Sequence, residues 1–351
     1  SYIVFALIGF FFSKPFFLAQ TDVEEIVNYG TDYATICMCG AIGIFSQFCF
    51  EKMLQATGRT FCTMLTHLMG TIVNIILDPI LIFGLFGFPK LEVAGAAIAT
   101  ISGQIVTGLA AIIFNLKFNK DVHISFKLIR FNKEIVKEIY KIGLPSIVMQ
   151  SIGSVMTFCL NKILIAFTTT ATAVFGAYFK LQSFIFMPIF GLNNGMVPII
   201  AYNYGAKRYD RVKKTIVITI ITAISVMFIG VLAFEFVPHI LLGFFNASES
   251  MLEIGVPALR IIGTHLLFAG FCIIAGSVCQ AIGNPNHSLI VSICRQLVVL
   301  LPAAWLLSQT GRLELVWFAF PIAESVSLIL SAIFLKKTLK HAKERMKDLI
   351  A

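Results

Sequence analysis

Asn74 and Asp78 stand four residues apart inside an apolar run over 62–86, and Pro79 follows directly. Spacing of four puts an amide and a carboxylate on one helix face. Pro79 also leaves the carbonyl of Ile75 without its helical donor. Together these oxygens suit a small cation. The same carboxylate, desolvated, suits a proton, and a third reading makes it a structural Asp hydrogen-bonded to neighbouring helices. An ionisable group deep in an apolar span costs about 3 kcal/mol or more, so it is a functional candidate by default.

Other ionisable residues share that status. Glu51 lies seven residues before Gly58, which sets it about 14 Å along the helix axes from the level of Asp78 at about 1.5 Å per residue. It either draws cationic compounds inward or pairs with Lys52 or Arg59. Arg295 and Glu324 fall near mid-depth of their spans and can pair, with Lys180 as a third member of the network or as a tethered cation. Glu235, Arg260 and Lys162 sit close enough to helix ends to snorkel. Gln150, Gln182, Phe184 and Met187 are candidates for a soft substrate cavity, although most of the 34 Phe and 11 Met are expected to face lipid or pack between helices. No Ser/His/Asp grouping, metal-ligand pair or phosphate-binding loop is visible, and the histidines are scattered. Cys37-x-Cys39 is a weak metal pattern, and the eight cysteines read as unpaired thiols. The expectation is no enzyme, no cofactor and no resident metal.

The elements carrying these groups are membrane helices. Hydrophobic residues make up 58% of the 351 and charged residues 13%, with mean hydropathy +0.89, far from an ordinary soluble domain. Apolar stretches of about 20 residues, enough to cross a hydrocarbon core, lie at 33–57, 62–86, 93–116, 138–167, 171–203, 214–240, 254–282, 287–308 and 314–335. A shorter one ends near Ser13. It begins without Met, so the native chain is expected to continue upstream.

The net charge of +9 taken alone suits nucleic acid, but its placement excludes that partner. Lys52 and Arg59, the cluster from Lys117 to Lys141, the cluster Lys207–Lys214 and the tail Lys336–Lys347 fall on alternate sides of successive spans, all on one face of the membrane. The basic face is cytosolic by the positive-inside rule, which also puts the C-terminus inside. The acidic stretch from Thr21 to Asp32 falls outside. The tail reads as an amphipathic helix touching anionic headgroups.

Met53-Leu-Gln-Ala-Thr-Gly58 returns as Val278-Cys-Gln-Ala-Ile-Gly283, and each copy precedes an apolar span reaching a proline, Pro79 or Pro302. Gln55 and Gln280 stand 225 positions apart. An even number of spans separates the copies, so they cross in the same direction, as parallel repeats do in transporters that rock two lobes about a central site.

Asn74-Ile-Ile-Leu-Asp-Pro-Ile-Leu-Ile-Phe-Gly84 and Val93-Ala-Gly-Ala-Ala-Ile-Ala-Thr100 resemble the fifth and sixth helices of the multidrug and toxic compound extrusion (MATE) transporters. Phe184–Gly191 leading into Pro198–Lys207 resembles the eighth helix and its loop, and Gln280-Ala-Ile-Gly-Asn-Pro285 the turn after the tenth. The resemblance implies an all-α polytopic membrane protein, a two-lobe bundle with about ten of twelve transmembrane helices, helices 1 and 2 being absent. It implies a partial N-lobe over 1–116, a linker over 117–137, a C-lobe over 138–335 and a basic tail over 336–351. It further implies a monomeric antiporter exporting organic, often cationic, small molecules across the inner membrane for H+ or Na+, coupled at Asp78, Asn74 and Thr100. Carboxylates that couple through the C-lobe in another branch have no acidic counterpart over 143–168 or 255–280. A flippase of lipid-linked saccharides, or a channel or receptor, is the alternative.

Overall fold

The computed structural model describes residues 2–19, 23–122 and 132–348. Among them the chain is helical throughout. Residues 123–131 of the central basic stretch, Lys127 and Arg130 included, lie outside the described residues, as do Thr21, Asp22 and the last three positions. The chain divides into two compact units, Ser1–Ile129 and Arg130–Ala351.

Unit 1 holds α1 (Tyr2–Leu18), α2 (Glu24–Cys39), α3 (Ile42–Ala56), α4 (Thr60–Phe83) and α5 (Glu92–Phe118). The first helix runs five residues past Ser13, through Lys14 and Pro15. A lysine does not stop a helix whose ammonium can reach the interface. Glu24 and Glu25 are not loop residues but the first turn of α2, where the positive end of the helix dipole favours acidic side chains. The apolar stretch 33–57 is likewise not one straight helix, because α2 and α3 meet at 44° around Gly40 and Ala41.

The seam between α4 and α5 is made by small residues. A Cβ on Gly70 would fall 1.8 Å from Thr107 Oγ1 and 2.5 Å from the Gly103 carbonyl, and one on Gly95 would fall 2.5 Å from the Leu81 carbonyl. Lipid gives no hydrophobic drive for helices to associate, so backbone proximity supplies the van der Waals contact instead.

Unit 2 holds α6 (Lys133–Ile165), α7 (Thr169–Gly205), α8 (Tyr209–Phe236), α9 (Pro238–Gly243), α10 (Glu249–Gly263), α11 (Leu266–Ala281), α12 (Pro285–Ile293), a π-helical stretch Cys294–Leu300, α13 (Leu301–Ser308), α14 (Leu313–Trp317) and α15 (Ala319–Asp348). Asn132, Thr168 and Ser248 start α6, α7 and α10 as N-caps, their side chains accepting from backbone N–H groups. The charged stretch from Lys336 continues α15 as one helix, with Leu335, Thr338 and Ala342 buried and Lys336, Lys337, Lys340 and Lys343 outward.

The repeat is visible in the geometry. α10 and α11 meet at 48°, matching α2 and α3, and their boundaries fall 224 or 225 positions on. Gly58 and Gly283, 225 apart, both end the second helix of the bent pair with positive φ, 76° and 91°, a conformation glycine adopts without steric cost.

A charge pair lies inside unit 2. Arg295 Nη1 is 3.3 Å from Glu324 Oε2, and Glu324 is 3% exposed. Arg295 rides on the π-helical stretch, which shifts its direction relative to a regular turn. Tyr178, His265 and Cys272 lie within the electrostatic reach of Glu324.

Two predictions follow from this packing. Gly70→Ala drives a methyl into backbone and is expected to cost about 1–3 kcal/mol, read as a lowered thermal unfolding temperature in detergent; Gly176→Ala, with nothing within 4 Å, is expected to leave it unchanged or higher. Arg295→Met strands the buried Glu324 carboxylate and is expected to cost about 3–5 kcal/mol, most of which Arg295→Met/Glu324→Leu recovers. Equal unfolding temperatures for the single and double variants would contradict that reading.

Candidate functional site

In unit 1 the residues of the Asn74–Asp78 face converge with residues from two other helices. Asn74 faces α5 where Gly103 has no side chain, the Asn74 Cβ lying 3.1 Å from where a Gly103 Cβ would be. Tyr33 of α2 lies within interaction range of Cys37 of α2, Thr100 of α5 and Asp78. Three helices thus bring Asp78, Asn74, Thr100 and Tyr33 into one region. Asp78 is half-buried and makes no ion pair among the described residues. A half-buried carboxylate without a cationic partner, on one helix face with an amide, has the chemistry to take up a cation or a proton.

Tyr33 was not legible as a site residue. It stands at the edge of an apolar stretch, and only the packing of α2 against α5 brings it near Thr100.

Glu51 is placed differently from the expectation. It pairs with neither Lys52 nor Arg59: Lys52 Nζ donates to Gln55 Oε1 at 2.8 Å, and Arg59 is 3.5 Å from Asp121. Instead Glu51 is 2% exposed, with Oε2 3.0 Å from His67 Nε2 on α4. Its carboxylate therefore points into unit 1 and not to an open surface.

In unit 2 the structure joins Arg295 to Glu324 and leaves Lys180 apart. Lys180 is exposed, its ammonium 5.8 Å from the centre of the Phe245 ring. Phe184 and Met187 lie exposed on the same face of α7, whereas Gln182, half-buried, lies on the opposite face and Gln150 is exposed on α6. A groove of about 470 Å³ is lined by Phe158, Lys162, Leu301 and Trp305 among others, and by none of those four predicted cavity residues. Among the described residues no group of three or more His, Cys, Asp and Glu could hold a metal.

Known proteins place this arrangement. The sequence profile of the MatE family matches residues 1–80 and 145–306. The multidrug export protein MepA of Staphylococcus aureus (strain bovine RF122 / ET3-1) is 30% identical over 303 residues, covering 86% of this chain and 66% of that protein. MepA of Staphylococcus haemolyticus (strain JCSC1435) is 30% identical over 317 residues, covering 90% and 69%. The chain thus spans about two thirds of the length of these relatives. A MOP superfamily transporter from Pyrococcus furiosus Vc1 (DSM3638), described as having a binding pocket of reverse polarity that suggests a different function, superposes with TM-score 0.86 at 25% identity over 97% of this chain and 78% of that one. An outward-facing multidrug resistance MATE family transporter gives the same TM-score and identity over 98% and 78%. With a helical membrane fold, a family profile covering more than half its length and these relatives, the chain belongs to the MatE family of multi-pass membrane transporters.

Proposed function

We propose that this protein is a secondary active exporter of organic, often cationic, small molecules, driven by inward movement of H+ or Na+ and working by alternating access of two lobes. The observation that carries the reading is the half-buried, unpaired Asp78 among Asn74, Thr100 and Tyr33. A carboxylate compensated by no fixed positive charge binds and releases a monovalent cation with a large change in local electrostatics, and that change is what a lobe can convert into motion. The multidrug export activity of the MepA relatives supports the choice of cargo.

In this reading the N-lobe corresponds to 1–116 and the C-lobe to 138–335, joined by a linker over 117–137, and the protein works as a monomer in the cell membrane. The basic ends, including the C-terminal end of α15, face the cytosol. Gln150, Gln182, Phe184 and Met187 contact cargo on its way through. A flippase for lipid-linked saccharides would need free cations along a groove. Arg295 is tied to Glu324 and Lys180 is set over Phe245, so neither supplies them.

Asp78→Asn keeps the size and hydrogen bonding of the site and removes its charge. It is expected to reach the membrane at parental levels and to lose gradient-driven ethidium efflux from proteoliposomes. Unchanged efflux would remove Asp78 from the mechanism. Imposing a sodium jump or a pH jump on the parent protein then assigns the coupling ion. For the orientation, a cysteine introduced at Lys340 in a cysteine-free background is expected to react with a membrane-impermeant maleimide only after the cytosolic face is opened.

A further inference from the structure

Unit 2 holds a groove at the repeat position of the Asn74–Asp78 face. With Pro79 matched to Pro302, Asn74 corresponds to Leu297 and Asp78 to Leu301. Leu297, Leu301 and Pro302 all line the groove of about 470 Å³ that α6 forms with the π-helical stretch and α13. Where unit 1 keeps an amide and a carboxylate, unit 2 therefore has a cavity walled by leucines. Transporters built from parallel repeats bring equivalent faces to one central site, so the groove occupies a place where cargo passes.

The opposite wall carries a cation. Phe158 and Lys162, four apart, share a face of α6, and both are exposed. Lys162 Nζ lies 5.2 Å from the centre of the Phe158 ring, within cation–π range. Phe158 stands one turn further from the end of α6 than Lys162, so the ammonium turns back into the groove instead of snorkelling out past Ile165. On α13, Leu301, Trp305 and Ser308 fall on one face, and the Trp305 ring is exposed. A second groove of about 440 Å³ shares Lys162 and Trp305 with the first and adds Ser308 and Gln309. The lining is thus graded along the helices: apolar and aromatic around Phe158 and Leu301, an ammonium in the middle, then a hydroxyl and an amide.

Among the described residues Lys162 makes no ion pair, and it is the one charged side chain lining either groove. An ammonium set among apolar side chains, with a ring face in place of a carboxylate, is stabilised by an anion that comes to it. One ammonium answers one anionic group. A line of cations, which a polyanionic headgroup would need, is not present in either lining. The exposed rings of Phe158 and Trp305 offer stacking faces to a flat ligand. The volume falls in the range of about 300–1,000 Å³ usual for small-molecule pockets, which are likewise mostly apolar with a few placed polar groups.

We propose that this groove of unit 2 is a cargo subsite for planar aromatic compounds bearing one anionic group, an assignment that rests on the reading of this chain as an exporter. Lys162 pairs with the anionic group, Phe158 and Trp305 hold the ring, and Ser308 and Gln309 meet polar substituents. The same repeat position thus carries a carboxylate in unit 1 and, in unit 2, an apolar wall facing an ammonium, so its charge preference is opposite. Cargo then extends beyond organic cations to aromatic acids and to compounds carrying both charges.

The test measures binding to the protein in phosphatidylcholine nanodiscs by equilibrium dialysis and by quenching of tryptophan emission. Two probes share one ring system, the anion 2-naphthalenesulfonate and the neutral 2-naphthylmethanol. The parent is expected to bind the sulfonate more tightly than the alcohol. Lys162→Gln is expected to bind the sulfonate roughly 10- to 100-fold more weakly, the usual effect of losing a charged hydrogen bond, and the alcohol with parental affinity, while Lys162→Arg keeps both. Should Lys162→Gln lose both probes, Lys162→Arg decides: sulfonate binding kept there supports the subsite and sulfonate binding lost there overturns it. Trp305→Phe is expected to abolish the quench with sulfonate still bound in dialysis, since Trp317 is buried. Equal sulfonate affinity in the parent and Lys162→Gln overturns the proposal, as does equal affinity of the parent for the two probes. A phospholipid that co-purifies with the parent, blocks the sulfonate and is lost in Lys162→Gln overturns it in favour of a lipid site. Proteoliposomes of the parent loaded with ethidium or the sulfonate keep the two readings apart. No gradient-driven efflux of either compound removes the exporter reading and the cargo role with it, whereas ethidium efflux without sulfonate efflux sinks the subsite alone.

Discussion

Inside hydrocarbon an unsatisfied polar group costs several kcal/mol and finds no water to relieve it, and the architecture of this chain follows from that cost. Backbone groups are satisfied within helices. Helices approach where glycine leaves room, as Gly70, Gly95 and Gly103 do between α4 and α5, and side-chain hydroxyls fold back onto their own helix, as Thr107 does onto the Gly103 carbonyl at 2.9 Å. Polar groups that remain must gather, because a partner is the only substitute for solvent. Each gathering is then a place where charge has been deliberately kept in the membrane.

The two units share a scaffold and differ in where they keep that charge. At the 225-residue offset, Gly70 of the α4–α5 seam corresponds to Arg295, and Glu51 corresponds to Gly276. Unit 1 uses the first position for close backbone contact and the second for a carboxylate. Unit 2 does the reverse: Arg295 needs space, which the π-helical stretch provides, and Gly276 lets Ser288, the counterpart of Thr63, donate to its carbonyl at 2.6 Å. One fold thus carries two different arrangements of buried charge.

The spans, the repeat and the face shared by Asn74 and Asp78 were legible in the sequence because each is a matter of spacing along one helix or of composition. The bends at Gly40–Ala41 and Thr264–His265 were not, since each break is only two residues long and neither carries a proline or a charge between the two helices. The partner of Glu51 was missed for a related reason. Lys52 and Arg59 are near in sequence and opposite in charge, but side chains adjacent along a helix point apart. His67 is distant in sequence and faces Glu51 only after the chain turns at Gly58. Gln47 and Glu51, four apart, with Thr63, Thr66 and His67 on the following helix, were the available signal: two polar stripes at helical spacing on antiparallel neighbours.

The nature of each counter-charge separates the buried acids by role. Glu324 faces a guanidinium, which does not give up its proton in proteins, so that pair stays neutral whatever ions pass and serves the packing of unit 2. Glu51 faces an imidazole, and Asp78 shares its helix face with Asn74 and has no ion pair among the described residues. Among the described residues neither has an ammonium or guanidinium within ion-pair distance, so the charge of each centre can change with protonation or cation binding. A lobe whose internal charge is conditional changes its preferred packing when that ion arrives, and a lobe whose charge is locked does not. For the exporter proposed above, the asymmetry between Arg295–Glu324 and the Asp78 and Glu51 centres assigns ion-driven change to unit 1, with unit 2 as the stable counterpart.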